Sequence, residues 1–276
     1  FELISDVTKI DIKNIIFNNP SNFLNQTQYT QLSIFCSSIS IFEALKNNTN
    51  FEKLNIKYML GHSLGEYSAL TAAGILSIES CALLLKSRGE LMQNAYEPNK
   101  SGMAAILGLN SKTVEEIISK NNLKIEIAND NSPIQVVISG INRDIIESEV
   151  IFKKENAKRF IVLNVSAAFH SILMIEAEKQ MKKIIENTLF YNSSISIISN
   201  FSGKISNNLD TIILNLSKQM SNRVRWVESI KELEETGENK IIEIGPSKVL
   251  TGLIKRISDK FIINNIETIS DIKNEL

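Results

Sequence analysis

The sequence predicts an α/β protein in which helices cover both faces of a parallel sheet and a smaller β-rich unit is inserted. Short apolar strands alternate with amphipathic helices on either side of the insertion, which is typical of a parallel sheet. Residues 103–166 instead have the order strand, helix, strand, strand, helix, strand. A serine flanked by glycines, Ser63, lies where the first strand turns into a helix, which indicates a sharp turn above the sheet.

The first part of the chain, residues 1–56, is predicted to form helices and loops. Further along, Ser77 is predicted to cap a helix, because its hydroxyl can accept a hydrogen bond from a first-turn N–H group. Residues 97–102 contain proline and glycine and are predicted as a domain boundary. The predicted elements are a helix over 29–45, a strand over 57–60, and helices over 64–76 and 78–95.

The inserted unit is predicted to be a small ferredoxin-like subdomain over residues 101–166. The first of its helices has Val114, Ile117 and Ile118 on one face, so this helix is expected to pack on the sheet. The predicted elements are a strand over 103–109, a helix over 111–121, a strand over 124–128, a turn over 129–133, a strand over 135–139, a helix over 143–155 and a strand over 159–165.

The remaining residues return to alternating strands and helices. Together with the first part they are predicted to form one large subdomain, which comprises residues 1–100 and 167–276. The predicted elements are a helix over 171–187, a strand over 194–199, helices over 209–220 and 227–235, a strand over 240–244, a helix over 249–257 and a strand over 261–266.

Composition limits the classes of function. The chain has 276 residues, of which 43% are hydrophobic, and a formal net charge of −1, without the basic block typical of nucleic-acid binding. Its apolar runs are shorter than the roughly 18 residues that a membrane helix needs, and residues 1–6 do not resemble a signal peptide. We therefore expect neither a nucleic acid nor a membrane as partner. We expect a monomer in the cytoplasm, or in an organelle where a transit segment has been removed.

Two cysteines, Cys36 and Cys81, lie in apolar helical patterns and are expected to be reduced and buried. The two cysteines and two histidines lack the spacing of a metal site, so no metal is expected.

The turn at residues 61–65 has the properties of a nucleophile site. Glycine on either side lets the backbone bend tightly, so the turn can expose the Ser63 hydroxyl at a helix N-terminus, where free N–H groups stabilise an oxyanion. Of the two histidines, His170 is the one outside the turn and is the candidate general base. No acidic residue precedes or follows it closely, so a backbone carbonyl is expected to orient the ring. The alternatives are an ordinary glycine-flanked serine and an exposed histidine at a helix start.

Arg88 is the candidate anion-binding residue. It lies on the helix after the turn, and a guanidinium facing the site would bind a carboxylate through two hydrogen bonds. Such a contact would favour an acyl group that carries a second carboxylate. The alternative is a surface arginine paired with Glu90 or Glu79.

Several segments resemble malonyl-CoA:acyl-carrier-protein transacylases of type II fatty acid synthesis and the acyltransferase domains of polyketide synthases. The resemblance covers nearly the whole chain, in order and spacing. It implies a large α/β-hydrolase-like subdomain with a ferredoxin-like insertion, and malonyl transfer from coenzyme A to acyl carrier protein through a seryl ester, without a cofactor. The segments are 61–70 (GHSLGEYSAL), 88–93 (RGELMQ), 135–140 (QVVISG), 169–170 (FH) and 243–253 (EIGPSKVLTGL).

The resemblance also implies roles for individual residues. Ser63 corresponds to the nucleophile and His170 to the base, and the backbone N–H of Leu64 corresponds to an oxyanion donor. Arg88 corresponds to the residue that pairs with the malonyl carboxylate. Gln219 corresponds to a glutamine whose main-chain carbonyl holds the catalytic histidine.

Three further positions are implied to lie near the acyl pocket. Asn131 and Gln135 correspond to polar residues there, and Phe169 matches the malonyl-selective form of the motif. A large ring at Phe169 would leave little room for an α-methyl branch, although one methyl group provides only about 1–3 kcal/mol of discrimination.

The chain departs from the family pattern at its start. The family opens with a strand that ends in a Phe-Pro-Gly-Gln-Gly-Ser-Gln motif and supplies a second oxyanion donor, whereas Phe1 aligns after this motif. We therefore expect the sequence to be a fragment of a longer protein.

Three alternatives to the transacylase remain from the sequence. The first is a hydrolase of related architecture, against which Arg88 argues because simple esterases need no carboxylate-binding residue. The second is a non-catalytic relative that only binds carrier protein. The third is an acyltransferase domain excised from a polyketide synthase.

Overall fold

The computed structural model describes residues 1–97, 100–165 and 167–274. The helices are α1 Glu2–Thr8, α2 Ile12–Asn18, α3 Thr27–Asn48, α4 Leu64–Ala72, α5 Ile78–Gln93, α6 Ser111–Lys120, α7 Asn142–Lys154, α8 Ile175–Glu186, α9 Leu209–Ser217, α10 Trp226–Glu235, α11 Val249–Ile257 and α12 Ile269–Asn274. The strands are β1 Tyr58–Met59, β2 Ser101–Leu107, β3 Ile125–Ser132, β4 Gln135–Ile141, β5 Arg159–Val162, β6 Ser196–Ile198, β7 Ile205–Ser206, β8 Lys240–Ile244 and β9 Ile262–Ile266. The predicted α/β class is confirmed.

The large part of the fold contains two groups of hydrogen-bonded strands. In the first, β1 pairs in parallel with β6, and β6 pairs antiparallel with β7, a two-residue strand that the sequence did not predict. In the second, β8 and β9 form a parallel pair. Buried residues of α3, α4, α5, α8 and α9 form the main core together with Ile197 of β6. Because β1 and β6 are parallel, the residues that follow these two strands lie at the same edge of the sheet.

The four strands β2–β5 form a separate antiparallel sheet in the order β3-β4-β2-β5. Its side chains alternate between two faces, as expected of pleated strands. On one face, Ala104 and Ile106 pack with Val114 of α6 and with Ile145 of α7. On the other, Met103 and its neighbours form a small cluster with Phe169. One face of this sheet therefore borders the segment that carries His170.

The predicted turn over 129–133 is wrong, because β3 continues to Ser132. The polar residues of this segment have a turn-like composition, but they stay paired with β4 across two register shifts. On its other side, the segment bonds to a distant part of the chain: the N–H of Asp130 donates to the Val224 carbonyl, and the N–H of Val224 donates to the Ala128 carbonyl. These long-range contacts override the local turn preference.

Several predicted helix and strand ends differ from the structure. The helix predicted over 64–76 ends at Ala72, and the one over 209–220 ends at Ser217, so Gln219 lies in a loop. The helix predicted over 171–187 begins with a 3-10 turn over 172–174 before α8. At the predicted domain boundaries, Pro98, Asn99 and Ser166 lie outside the described residues.

Several smaller predictions were also tested. Ser77 caps α5 by accepting a hydrogen bond from the Ser80 N–H, as predicted. Cys36 and Cys81 are buried and unpaired, as predicted. Across the described ranges, no helix is both long enough and apolar enough to cross a membrane.

Close packing of α3 against α5 depends on a glycine. A Cβ atom at Gly89 would lie 2.6 Å from the backbone Cα of Gln28, which cannot move without displacing α3. By contrast, a Cβ atom at Gly252 in α11 would meet no atom within 4 Å. The two helical glycines therefore offer a matched pair for testing this contact.

We predict that Gly89→Ala lowers the free energy of unfolding by about 2 kcal/mol, because it overpacks a closely fitted interface. Gly252→Ala should instead raise it by about 0.5–1 kcal/mol, because alanine restricts the unfolded chain more than glycine does. The midpoints of urea unfolding measure both effects. Equal midpoints for the two variants would contradict the α3–α5 contact.

Candidate active site

The candidate nucleophile lies on a strained turn between β1 and α4. Ser63 has φ 53° and ψ −108°, a conformation that L residues rarely adopt, and it precedes the first residue of α4. The turn is tight enough that a Cβ atom at Gly61 would lie 2.1 Å from the backbone of Gly65. Glycine is therefore required at position 61 for the turn to form.

Asn200 holds the turn in place from the end of β6. Its side-chain Oδ1 accepts a hydrogen bond from the Ser63 N–H at 2.6 Å, and its Nδ2 donates to the Gly61 carbonyl at 2.7 Å. Because β6 is parallel to β1, both strands deliver their following residues to the same edge. Asn200 therefore offsets the strain at Ser63 with two buried hydrogen bonds.

Ser63 and His170 are in direct contact. The Ser63 Oγ lies 2.8 Å from Nε2 of His170. The other ring nitrogen, Nδ1, lies 3.0 Å from the Gln219 carbonyl and 3.2 Å from the Asn222 carbonyl. Since carbonyl oxygens only accept hydrogen bonds, Nδ1 must carry the proton, and Nε2 presents its lone pair to the serine hydroxyl.

The environment keeps the His170 ring neutral. Burial lowers the pKa of His170 to about 3, and the nearby charge of Arg88 adds to this effect. The two carbonyl acceptors oppose the shift because they favour the protonated ring. At neutral pH the imidazole is therefore an unprotonated base.

Arg88 is buried beside the serine, so the alternative of a surface ion pair is wrong. Its Nη2 donates to the Ser63 Oγ at 3.0 Å and to the Gln219 Oε1 at 3.0 Å, and its Nη1 donates to the Gln31 Oε1. The guanidinium also lies over the Tyr67 ring, 5.4 Å from its centroid. Across the described residues, no carboxylate lies within salt-bridge distance of Arg88. The side chain is therefore a buried cation with neutral partners.

The backbone N–H of Leu64, the first of α4, is a candidate oxyanion donor. Within the described ranges it has no hydrogen-bond acceptor. It also lies at the positive end of the helix, where a developing negative charge on a neighbouring oxygen is stabilised.

The remaining predicted site residues are Asn131, Phe169 and Gln135, whose contacts are with residues other than Ser63. The Asn131 Oδ1 lies 2.7 Å from Nε2 of His62, the histidine within the turn. Phe169 packs both on the main core and on the cluster beside the small sheet. Gln135 accepts a hydrogen bond from Arg256 at 3.0 Å. Asn131 and Gln135 therefore lie outside the set of side chains that hydrogen-bond with Ser63.

The sequence analysis missed three polar residues of this site. They are Gln31, which binds Arg88, and Glu66 and Asn200, which support the turn. Asn200 had a usable signal, because it follows a predicted parallel strand and so lies at the functional edge of a sheet. Glu66 lies within the motif at residues 61–70 and is the one charged residue of helix α4, which could have been noted. Nothing in the sequence distinguishes Gln31.

The model of the acyl transferase domain family matches residues 2–273. The chain belongs to the acyl transferase domain family.

Relatives of this acyltransferase are similar to it over nearly its whole length. A malonyl CoA-acyl carrier protein transacylase of Staphylococcus aureus (strain MW2) is 35% identical over 278 residues, covering 99% of this chain and 88% of the relative. The crystal structure of an acyl-carrier-protein S-malonyltransferase from Bartonella henselae has a TM-score of 0.94 at 36% identity, covering 100% of this chain and 88% of that chain.

One similar structure contains a carrier protein. It is a malonyl-transacylase in complex with its type II polyketide acyl-carrier protein, with a TM-score of 0.92 at 31% identity, covering 100% of this chain and 89% of that chain.

We predict that His170 does not titrate between pH 8 and pH 5 in the folded protein, because its pKa is lowered to about 3. Burial also lowers the pKa of His62, the other histidine of the chain. The pH dependence of the histidine Cε1–H signals in NMR spectra measures this. The urea-unfolded chain is the control, with midpoints near the ordinary pKa of about 6.5.

The same shift sets the direction of a stability change. Below about pH 6.5 the unfolded chain binds a proton at His170 that the folded protein does not bind. Stability should therefore fall as the pH decreases from about 6.5 towards 3, and His170→Ala should reduce the steepness of that fall. A folded-state midpoint between pH 6 and 7 for both histidines would contradict this prediction.

Proposed function

We propose that this acyltransferase moves a malonyl group from coenzyme A to the phosphopantetheine thiol of acyl carrier protein. The observation that carries the proposal is Arg88, a buried guanidinium that contacts the Ser63 Oγ and has no carboxylate partner among the described residues. A buried cation with no carboxylate in direct contact can bind an anion directly. An acyl group joined to Ser63 and ending in a carboxylate would supply that anion.

In the first half-reaction, the Ser63 Oγ attacks the thioester carbonyl of malonyl-CoA while Nε2 of His170 takes the hydroxyl proton. The 2.8 Å contact between these atoms supports direct transfer. The Leu64 N–H would donate to the oxyanion of the tetrahedral intermediate. When this intermediate collapses, the carbon–sulfur bond breaks, and the protonated ring returns its proton to the coenzyme A sulfur.

In the second half-reaction, the thiol of the carrier protein reacts with the seryl ester in place of the released coenzyme A. Nε2 of His170 takes the thiol proton, the sulfur attacks the seryl ester, and Ser63 leaves with the proton from the ring. The Gln219 and Asn222 carbonyls accept from Nδ1–H in both steps and stabilise the charged ring. The acyl group is carried by Ser63 itself, so we infer that no cofactor takes part.

The names of the relatives support the choice of donor and acceptor. The Staphylococcus aureus relative is a malonyl CoA-acyl carrier protein transacylase, and one similar structure holds an acyl-carrier protein. We infer the same two partners here. We also propose that residues 1–100 and 167–276 form the catalytic subdomain and residues 101–166 a smaller one.

Phe169 is proposed to limit the size of the acyl group. It precedes His170 directly and packs between the main core and the small sheet, so its ring lies at the boundary between the two. A branched acyl group would have to displace it.

We predict that Ser63→Ala abolishes the covalent malonyl adduct formed with malonyl-CoA, because no other hydroxyl bonds to Nε2 of His170 among the described residues. Intact-protein mass spectrometry after rapid quenching measures the adduct. An exposed serine, such as Ser119, provides the control variant Ser119→Ala, which should form the adduct at the wild-type level. An adduct on the Ser63→Ala protein would assign the nucleophile elsewhere.

We predict that Arg88→Ala lowers kcat/KM for malonyl-CoA by roughly 10- to 150-fold, since hydrogen bonds to a charged group contribute about 1.5–3 kcal/mol. For acetyl-CoA, which has no carboxylate, the loss should be less than about tenfold. Steady-state rates with both substrates give the comparison. Arg143→Ala, at an exposed arginine, is the control. Equal losses for the two substrates would remove Arg88 from its role in recognising malonyl.

A further inference from the structure

Glu66 is a fully buried carboxylate that the reaction steps above do not use. It lies in the first turn of α4, three residues after the nucleophile. Its Oε2 accepts hydrogen bonds from the backbone N–H of Asn200 at 3.1 Å and from Nε2 of Gln219 at 2.6 Å. Its Oε1 has no hydrogen-bond partner among the described residues. Burying such a group is costly, so its presence calls for a physical reason.

The two donors that Glu66 binds belong to the two halves of the catalytic pair. Asn200 holds the turn that carries Ser63. Gln219 holds the base, since its main-chain carbonyl accepts from Nδ1 of His170 at 3.0 Å. Glu66 therefore connects the support of the nucleophile with the support of the base.

The Gln219 side-chain amide makes two further contacts that depend on which way it faces. Its Nε2 also donates to the Ser63 carbonyl at 3.0 Å, and its Oε1 accepts from Nη2 of Arg88 at 3.0 Å. A flipped amide would place its oxygen against the Glu66 carboxylate and its NH₂ group against the guanidinium. Both contacts would be repulsive, because a carboxylate only accepts hydrogen bonds and a guanidinium only donates them.

We propose that Glu66 is a positioning residue for acyl transfer, which fixes the orientation of the Gln219 amide and, through it, the placement of His170 and Arg88. The proposal rests on the proposed function of the same site. Glu66 acts through Gln219 and touches neither Ser63 Oγ nor the base. Burial raises the pKa of Glu66, whereas the two donors that bind its Oε2 and the nearby charge of Arg88 oppose this rise and favour the ionised carboxylate.

The test is the rate of acyl-enzyme formation at saturating malonyl-CoA, measured by rapid quench and mass spectrometry. Glu66→Gln keeps the size of the side chain but adds a donor, so it no longer excludes the flipped amide. We expect the acylation rate to fall about tenfold or more, with a smaller change in KM. In the Gln219→Ala background, where no amide remains to be oriented, the same substitution should change the rate by less than about twofold.

The controls separate positioning from general destabilisation. Glu90→Gln, at an exposed glutamate on the neighbouring helix α5, should leave the rate unchanged. Glu66→Asp keeps the charge but is one methylene too short to reach Gln219, and it provides the same test if the neutral variant fails to fold.

Two results would overturn the proposal: an acylation rate within twofold of wild type for Glu66→Gln, or the same fold-loss in both backgrounds. Failure of the proposed function would look different, because the wild-type protein itself would then form no acyl-enzyme.

Discussion

The site is organised around one buried positive charge, the Arg88 guanidinium. Removing a charge from water costs several kcal/mol even in a real protein interior. Here the compensation comes from neutral groups: two glutamine oxygens, the Ser63 hydroxyl and the face of the Tyr67 ring. These groups solvate the cation, and the Gln219 amide separates it from the Glu66 carboxylate, so among the described residues no carboxylate contacts the guanidinium directly. A direct carboxylate partner would stabilise the fold but would compete with the substrate.

A second constraint is the strained backbone of Ser63, which requires support from outside its own turn. Gly61 removes the steric conflict, but the positive φ is maintained by hydrogen bonds from Asn200, at the end of the neighbouring parallel strand. Ser63 is thus positioned by the sheet as much as by its motif. His170 also has a positive φ, of 58°, and is held by carbonyls from a loop. The proposed nucleophile and base therefore both depend on long-range contacts.

Those long-range contacts explain what the sequence could and could not predict. Strand β8 and helix α11 have the predicted bounds, because their apolar patterns are strong and Gly245-Pro246 separates them. The sequence predicts a turn over 129–133, yet backbone pairing with β4 and Val224 extends strand β3 to Ser132. At the site, the motif was enough to locate Ser63. The hydrogen bond between Arg88 and Gln31, by contrast, joins residues on different helices and has no local sequence signal. Sequence patterns record local preferences, and the network around Arg88 is built from pairs far apart in the chain.

The charge of Arg88 also links substrate recognition to the strength of the base. That charge is the second largest cause of the lowered pKa of His170, after burial. An imidazole with a pKa of about 3 is a weak base, and Brønsted behaviour makes it inefficient in removing a serine proton. A carboxylate bound to Arg88 would compensate the positive charge and so oppose the lowering of the pKa of His170. An acyl group without a carboxylate leaves the cation uncompensated and the base weak. In the proposed reaction, the same guanidinium would therefore discriminate between acyl groups twice, once in binding and once in the proton transfer that follows.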